Sequence, residues 1–318
     1  MTTTPLINER SKGVYIISAT PFKDDGALDL DSTDSLVDFY LDKGVSGMTI
    51  LGMMGEAPKL TEEEALTFTQ RVLKRVDGRV PVVVGVSHAS NQHVERMSKE
   101  AMSLGAAGVM LAPVANLKID EQVYNYYATA ARTLGADVPI CLQDFPQSTG
   151  VYTSIDVIHR LIDEFAQIVM LKHEEMPGMR KLTQIRQQSE AAGRRRISVL
   201  VGNGGLFLPQ EMLRGADGAM TGFAYPEMLV NVCRLCDEGK PDQAEDLFNI
   251  YLPLLRHEFQ YGLGLALRKE TLKQRGAIRS AAVRKPGPVL DATDLAELRR
   301  LIGRLEHALA ERGQTVAA

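Results

Sequence analysis

From about residue 14 to residue 238, short apolar runs alternate with longer segments of helical periodicity. The apolar runs fall at 14–20, 47–51, 80–86, 108–111, 138–143, 168–172, 198–201 and 218–221, and they read as strands. Several are apolar nearly throughout, as Val80-Pro81-Val82-Val83-Val84-Gly85-Val86 shows, which is the composition of strands buried on both faces. Helices are predicted between them at 32–43, 62–76, 91–104, 121–134, 154–164, 179–192, 209–214 and 227–238. The punctuation agrees. Thr61 followed by Glu62-Glu63-Glu64 reads as a capping box. Gly44, Gly78, Gly105 and Gly135 sit just past predicted helix ends, where a left-handed residue is wanted.

Eight strand–helix units in this span predict an α/β protein, a (β/α)8 TIM barrel. A doubly wound open sheet is the runner-up, but it usually shows G-x-G-x-x-G after its first strand, and the chain has none there. Beyond residue 238 the strand signals stop. Residues 239–318 read as helices at 241–257, 259–275 and 292–312, with Pro286-Gly287-Pro288 as a linker between the second and third. The expected organisation is a catalytic barrel over 1–238 and a helical C-terminal extension over 239–318 packed on it. The last residues, 313–318, read as a disordered tail.

Composition narrows the function classes. With 318 residues, 45% of them hydrophobic, the chain can bury a large core. Its net charge of -4 and its interspersed charges argue against a nucleic-acid partner. The densest basic cluster, Arg194-Arg195-Arg196, is expected at a helix C-terminus. No apolar stretch approaches the roughly 20 residues that span a bilayer. Met1-Thr2-Thr3-Thr4-Pro5 has no signal-peptide core. No membrane association and a cytoplasmic location are therefore expected. Cys141, Cys233 and Cys236 make no disulfide framework, and Cys233-x-x-Cys236 lies in a helical pattern without a second ligand pair. The six histidines show no ligand spacing, so neither metal nor cofactor is expected.

In such barrels the site is built at the C-terminal ends of the strands. Lys172 ends the apolar run Ile168-Val169-Met170-Leu171, and Glu174 follows two residues later. Strand side chains alternate, so both should project from one side. A lysine in apolar surroundings can act as a nucleophile toward carbonyl carbon. The plainer reading, a strand-end lysine paired with a surface acid, fits this segment equally well. Other strand ends carry Leu51-Gly52-Met53-Met54-Gly55-Glu56, Gln143-Asp144-Phe145-Pro146 and Gly202-Asn203-Gly204-Gly205. The glycines around Met53 and Met54 let backbone N–H groups approach an anion. Together these four ends around one lysine favour a site.

Thr20-Pro21-Phe22, Gly52-Met53-Met54-Gly55-Glu56 with Leu60-Thr61, Ala112-Pro113, Phe145-Pro146 with Thr149-Gly150, and Lys172 occur in this order. In them the chain resembles the dihydrodipicolinate synthase / N-acetylneuraminate lyase family of class I aldolase-type barrels, over roughly residues 12–290. The resemblance implies that Lys172 forms a Schiff base with the 2-keto group of pyruvate or a pyruvate-like substrate. It also implies a homotetramer or homodimer.

The departures are as informative as the matches. Where the family usually has two hydroxyl residues, this chain has Met53 and Met54, which leaves only backbone donors. Where the family has its proton-carrying tyrosine, this chain has Gln143. Ala112-Pro113-Val114-Ala115 replaces a tyrosine-bearing segment, and Gln147 and Ser148 stand where an arginine is common. An amide cannot shuttle a proton near neutral pH. Either catalysis has been lost or another acid/base has taken over, and Glu174 is the natural candidate. A Lys-x-Glu pair in place of the tyrosine relay resembles one branch of the family, the L-2-keto-3-deoxyarabonate dehydratases.

The expected reaction is therefore Schiff-base dehydration of a 2-keto-3-deoxy sugar acid by Lys172 and Glu174. The substrate carboxylate is expected at Gly52, Met53 and Met54. Its hydroxyls are expected at Gln143, Asn203 and Gly204, with Ser18 of the first strand also reaching the pocket. Three alternatives stay open. An aldolase would cleave C3–C4 from the same Lys172. A dehydratase of a 5-keto-4-deoxyglucarate type substrate would need to bind a second carboxylate, and no strand-end arginine is evident for it. A non-catalytic barrel that binds a keto acid is favoured by the missing tyrosine and opposed by the intact Lys172.

Overall fold

The computed structural model describes residues 5–313; the tail expected to be disordered lies outside this range from residue 314, as do residues 1–4. Eight parallel strands close into a barrel in sequence order: β1 Gly13–Ile17, β2 Gly47–Ile50, β3 Val82–Gly85, β4 Gly108–Leu111, β5 Ile140–Asp144, β6 Ile168–His173, β7 Ser198–Val201 and β8 Gly218–Ala219. The intervening helices are α1 Leu30–Asp42, α2 Glu62–Val76, α3 Asn91–Ser103, α4 Asp120–Leu134, α5 Pro146–Thr149, α6 Ile155–Glu164, α7 Met179–Ala191, α8 Leu208–Leu213 and α9 Pro226–Asp237. The extension adds α10 Pro241–Glu258, α11 Gly264–Gln274 and α12 Ala292–Glu311.

The apolar runs become strands because both faces find apolar neighbours. Tyr15, Ile17, Val83, Met110, Cys141, Met170, Leu200 and Met220 form the inner cluster. Val14, Ile16, Val82, Val84, Val109, Leu111, Leu171, Val199 and Val201, which alternate with them, pack against the helices. The chain before β1 closes the floor: Ile7 joins the inner cluster and its N–H donates to Ala107 O at 2.9 Å. The Thr61 capping box forms as expected, with Glu64 N–H donating to Thr61 Oγ1 and Thr61 N–H to the Glu64 carboxylate. Gly44, Gly78, Gly105 and Gly135 all have positive φ. The arginine cluster does sit at a helix C-terminus, that of α6. There Arg195 donates to the carbonyls of Ile162, Phe165 and Ile168, and Arg194 pairs with Asp163.

Several boundaries differ from expectation, among them the first strand, expected over 14–20 but ending at Ile17. The last strand stops at Ala219, although Met220 N–H still reaches Val201 O and Ile17 N–H reaches Thr221 O. The helix expected over 259–275 starts only at Gly264, because residues 259–263 double back over the end of α10. Gly264 permits this turn, since a Cβ there would lie 2.2 Å from Glu258 O. Finally, the strand-end segments after β2, β5 and β7 are wound into single turns, Met53–Gly55, Pro146–Thr149 and Asn203–Gly205.

The extension is pinned to the barrel by buried charge. Lys269 Nζ meets Glu56 Oε1 at 2.6 Å, and both side chains are fully buried. Glu56 also takes Lys59 Nζ at 2.9 Å and the Arg284 N–H at 2.9 Å. Arg284 bonds Glu64 and the carbonyls of Gly26 and Lys59. Phe22 lies under the Lys269 and Arg284 cations, 4.5 and 4.4 Å from its ring centre. The Thr-Pro-Phe segment and the glutamate of the Gly-Met-Met-Gly-Glu loop thus hold α11 over the barrel mouth.

Candidate active site

The inward parity of β6 that buries Met170 also aims Lys172 up the barrel axis. Glu174 keeps that parity because β5 and β6 stay paired beyond the last strand residue, with Glu174 N–H donating to Asp144 O at 2.9 Å. Its carboxylate lies over Gly202, where a Cβ would be 2.2 Å from Glu174 Cγ. Asn203, in left-handed conformation at φ 51°, donates from Nδ2 to Glu174 O at 2.9 Å. Gln143 is the direct neighbour of Lys172 across the β5–β6 pair.

These placements converge on one oxygen. Lys172 Nζ lies 2.7 Å from Glu174 Oε1, and Gln143 Nε2 donates to the same oxygen at 2.7 Å. The side chains of Lys172 and Glu174 are 6% and 7% exposed, so the pair is desolvated yet open on one side. Gln143 thus holds the Glu174 carboxylate. Outside the barrel wall a second network stiffens the strand ends. Lys181 Nζ meets Asp144 Oδ2 at 2.7 Å and Glu175 Oε2 at 2.6 Å, and it donates to Thr153 O at 2.6 Å. Burial pushes the Asp144 carboxyl up, but His173 and Lys181 prevail and hold it below its ordinary value.

Lys172, Glu174, Gln143, Met53, Met54, Asn203 and Gly204 line one cavity of about 340 Å³. Gly52 is set slightly aside: with Met53 and Gln143 it lines an adjoining recess of about 520 Å³. The turn at Met53–Gly55 makes its first bond from Gly55 N–H to Gly52 O at 3.0 Å, so the turn itself does not use the N–H groups of Met53 and Met54. Thr20 Oγ1 donates to Gly55 O at 2.7 Å and holds the turn in place. Ser18 is the exception among the expected site residues. It does not line the cavity, and its hydroxyl donates to Ala19 O at 2.9 Å. Its parity is that of Ile16, which faces the helices; Ile17 is the strand-one residue that lines the cavity.

The structure adds residues that sequence reasoning missed. Glu258 at the end of α10 and Arg268 of α11 both line the cavity. Their one sequence signal is a cation inside the apolar run Leu265-Ala266-Leu267-Arg268-Lys269. Among the described residues, the one tyrosine on the cavity wall is Tyr261, 94% exposed at the rim. Tyr127 donates its hydroxyl to Gln143 O at 3.0 Å from the α4 side, and burial pushes that phenol well up. Below Lys172, burial pushes the Cys141 thiol up to about 12. Among the described residues, Glu174 is the carboxylate paired with Lys172. Cys233 is buried with a thiol pushed up by desolvation, and no group of three or more His, Cys, Asp or Glu among the described residues could hold a metal ion. No helix among them is long and apolar enough to cross a membrane.

The sequence profile of the dihydrodipicolinate synthetase family matches residues 10–305. The chain is 33% identical over 301 residues to an L-2-keto-3-deoxyarabonate dehydratase of Azospirillum brasilense, covering 93% of this chain and 95% of that protein. It is 30% identical over 237 residues to a 4-hydroxy-tetrahydrodipicolinate synthase of Phocaeicola vulgatus, covering 74% and 77%. Among solved structures, a dihydrodipicolinate synthase from Rhodopseudomonas palustris superposes with a TM-score of 0.92 at 44% identity, covering 94% of this chain and 99% of that one.

Proposed function

We propose that this chain, which belongs to the dihydrodipicolinate synthetase family, dehydrates a 2-keto-3-deoxy sugar acid through a Schiff base on Lys172. L-2-keto-3-deoxyarabonate, giving 2-oxoglutarate semialdehyde, is the substrate we favour. The observation that carries this reading is the shared oxygen: Glu174 Oε1 lies 2.7 Å from both Lys172 Nζ and Gln143 Nε2. A carboxylate so placed can move protons on the substrate that the lysine holds. Similarity to the Azospirillum brasilense dehydratase supports the substrate.

The neutral amine of Lys172 adds to C2, and loss of water from the carbinolamine leaves an iminium ion. The iminium acidifies C3–H. Glu174 takes that proton, and the electron pair forms an enamine. Glu174, now protonated, returns the proton to the departing C4 hydroxyl, which leaves as water. Proton loss from C5 and reprotonation at C3 turn the C=C–CH₂OH unit into an enol, which becomes the aldehyde on protonation at C4. Hydrolysis of the iminium releases product and regenerates Lys172. The desolvated pocket keeps bulk water from the iminium. The family resemblance supports a homotetramer or homodimer.

The test is product analysis with a panel of 2-keto-3-deoxy acids, using parent and Glu174→Gln proteins. The parent is expected to form 2-oxoglutarate semialdehyde from L-2-keto-3-deoxyarabonate, whereas release of pyruvate would mark aldol cleavage instead. Glu174→Gln should still trap pyruvate on Lys172 with borohydride while losing about 10²–10⁴-fold in dehydration rate. Turnover by this variant near the parent rate would reduce Glu174 to a structural partner.

A further inference from the structure

We propose that Arg268 of the C-terminal extension is the charged donor that binds the carboxylate of the keto acid, in place of the hydroxyls that Met53 and Met54 lack. The inference rests on the Schiff-base reading of Lys172. Its first support is position. Arg268 is 4% exposed and lines the cavity with Lys172. Its Nη1 touches Met54 Sδ, on the turn over Met53–Gly55. Gly222 makes the room: a Cβ there would lie 2.6 Å from Arg268 Nη1 and 3.2 Å from Met54 Sδ.

The second support is an unmet demand. A guanidinium carries five N–H donors. Among the described residues, the only oxygen that Arg268 hydrogen-bonds is Glu258 Oε2, 3.1 Å from its Nε. A thioether is a weak acceptor, so both terminal nitrogens lack an anionic or carbonyl partner. An anion entering the cavity would give these nitrogens the acceptors they lack.

Third, Glu258 meets the cation through one oxygen only, Oε2. Its Oε1 has no hydrogen-bond partner. Burial pushes its carboxyl up, against the pull of Arg268. Once C2 is bonded to Lys172, the carboxylate is one bond away and must rest against the wall near the lysine. The Met53 and Met54 N–H groups supply neutral donors there, and Arg268 supplies a fork suited to a carboxylate.

Pyruvate tests this directly, because it has the carboxylate and the keto group but no sugar tail. Borohydride trapping is followed by mass spectrometry over a range of pyruvate concentrations. R268M/E258Q removes both charges and avoids leaving Glu258 unpaired; R268K keeps one charge but loses the fork. The half-saturating pyruvate concentration should rise about tenfold to a hundredfold in R268M/E258Q and less in R268K, with unchanged trapping at saturation. Unchanged half-saturation in either folded variant would overturn the inference. A rise confined to the KM of the longer substrate would also overturn it, placing Arg268 at the sugar tail. If R268M/E258Q does not fold, R268K decides alone. A parent protein that traps no pyruvate would instead overturn the Schiff-base reading itself.

Discussion

Two buried lysine–glutamate pairs stand at the C-terminal end of this barrel, and they differ in what else surrounds them. Lys269 and Glu56 lie 2.6 Å apart with side chains 0% and 1% exposed. Lys269 also donates to Ala282 O and lies over the Phe22 ring, and Glu56 also binds Lys59 and Arg284. Every direction is filled, so the pair works as a bolt between barrel and extension. Lys172 and Glu174, 2.7 Å apart, share a similar geometry but border the cavity. The two pairs are thus alike in residue identity, burial and separation. What separates the two is an open face through which a carbonyl carbon can arrive.

The largest expected effect breaks that comparison at the nucleophile. In the parent protein, the reduced pyruvate adduct should map to Lys172 and to neither Lys269 nor Lys118. Lys172→Ala should remove the adduct and lower turnover on the order of 10³-fold or more. An adduct on Lys269 would undo the distinction. The converse substitution, Lys269→Met, leaves Glu56 with only Lys59 and the Arg284 N–H and should cost up to about 3 kcal/mol of stability. That corresponds to a drop in melting temperature on the order of 10 °C. The folded variant should still trap pyruvate, and loss of trapping with an intact fold would give the bolt a chemical role.

Another buried carboxyl, Glu211 of α8, sharpens the comparison because no lysine pairs with it among the described residues. Burial pushes it up from 4.5 to about 7, with Glu174 adding to the shift and His173 opposing it. Between those values the unfolded chain has released the proton and the folded chain has kept it. Stability should therefore fall as pH rises from about 4.5 to about 7, by up to about 3 kcal/mol. Glu211→Gln should flatten this part of the pH–stability curve, as denaturant titrations at each pH would show; an unchanged slope would assign it to another group. The smallest expected effect is that of Gln143→Tyr. Gln143 holds Glu174 Oε1, so restoring a phenol should give no gain in dehydration rate. A large gain would mean that the missing tyrosine, not Glu174, limits the chemistry.

The strands, helix caps and barrel were legible because they depend on local periodicity and on residues a few positions apart. The facing of Lys172 and Glu174 followed from strand parity in the same way. Ser18 shows how fragile that rule is at a strand end, since a one-residue miscount points to the helix face when Ile17 lines the cavity. Glu258 and Arg268 were not legible, because nothing near them in the chain says that the turn at 259–263 brings them over the barrel mouth.

The sequence by itself determined the order of elements, the buried parity of each strand and the presence of a lysine with a carboxyl two residues on. These are short-range consequences of side-chain shape and burial. Only the tertiary structure decided which of two lysine–glutamate pairs meets a cavity and which cation closes it. Both depend on packing the extension against strand ends more than 200 residues away in the chain, as the Lys269–Glu56 contact shows with its separation of 213. At such distances local propensity carries no information, and the outcome is settled by which buried charges find partners.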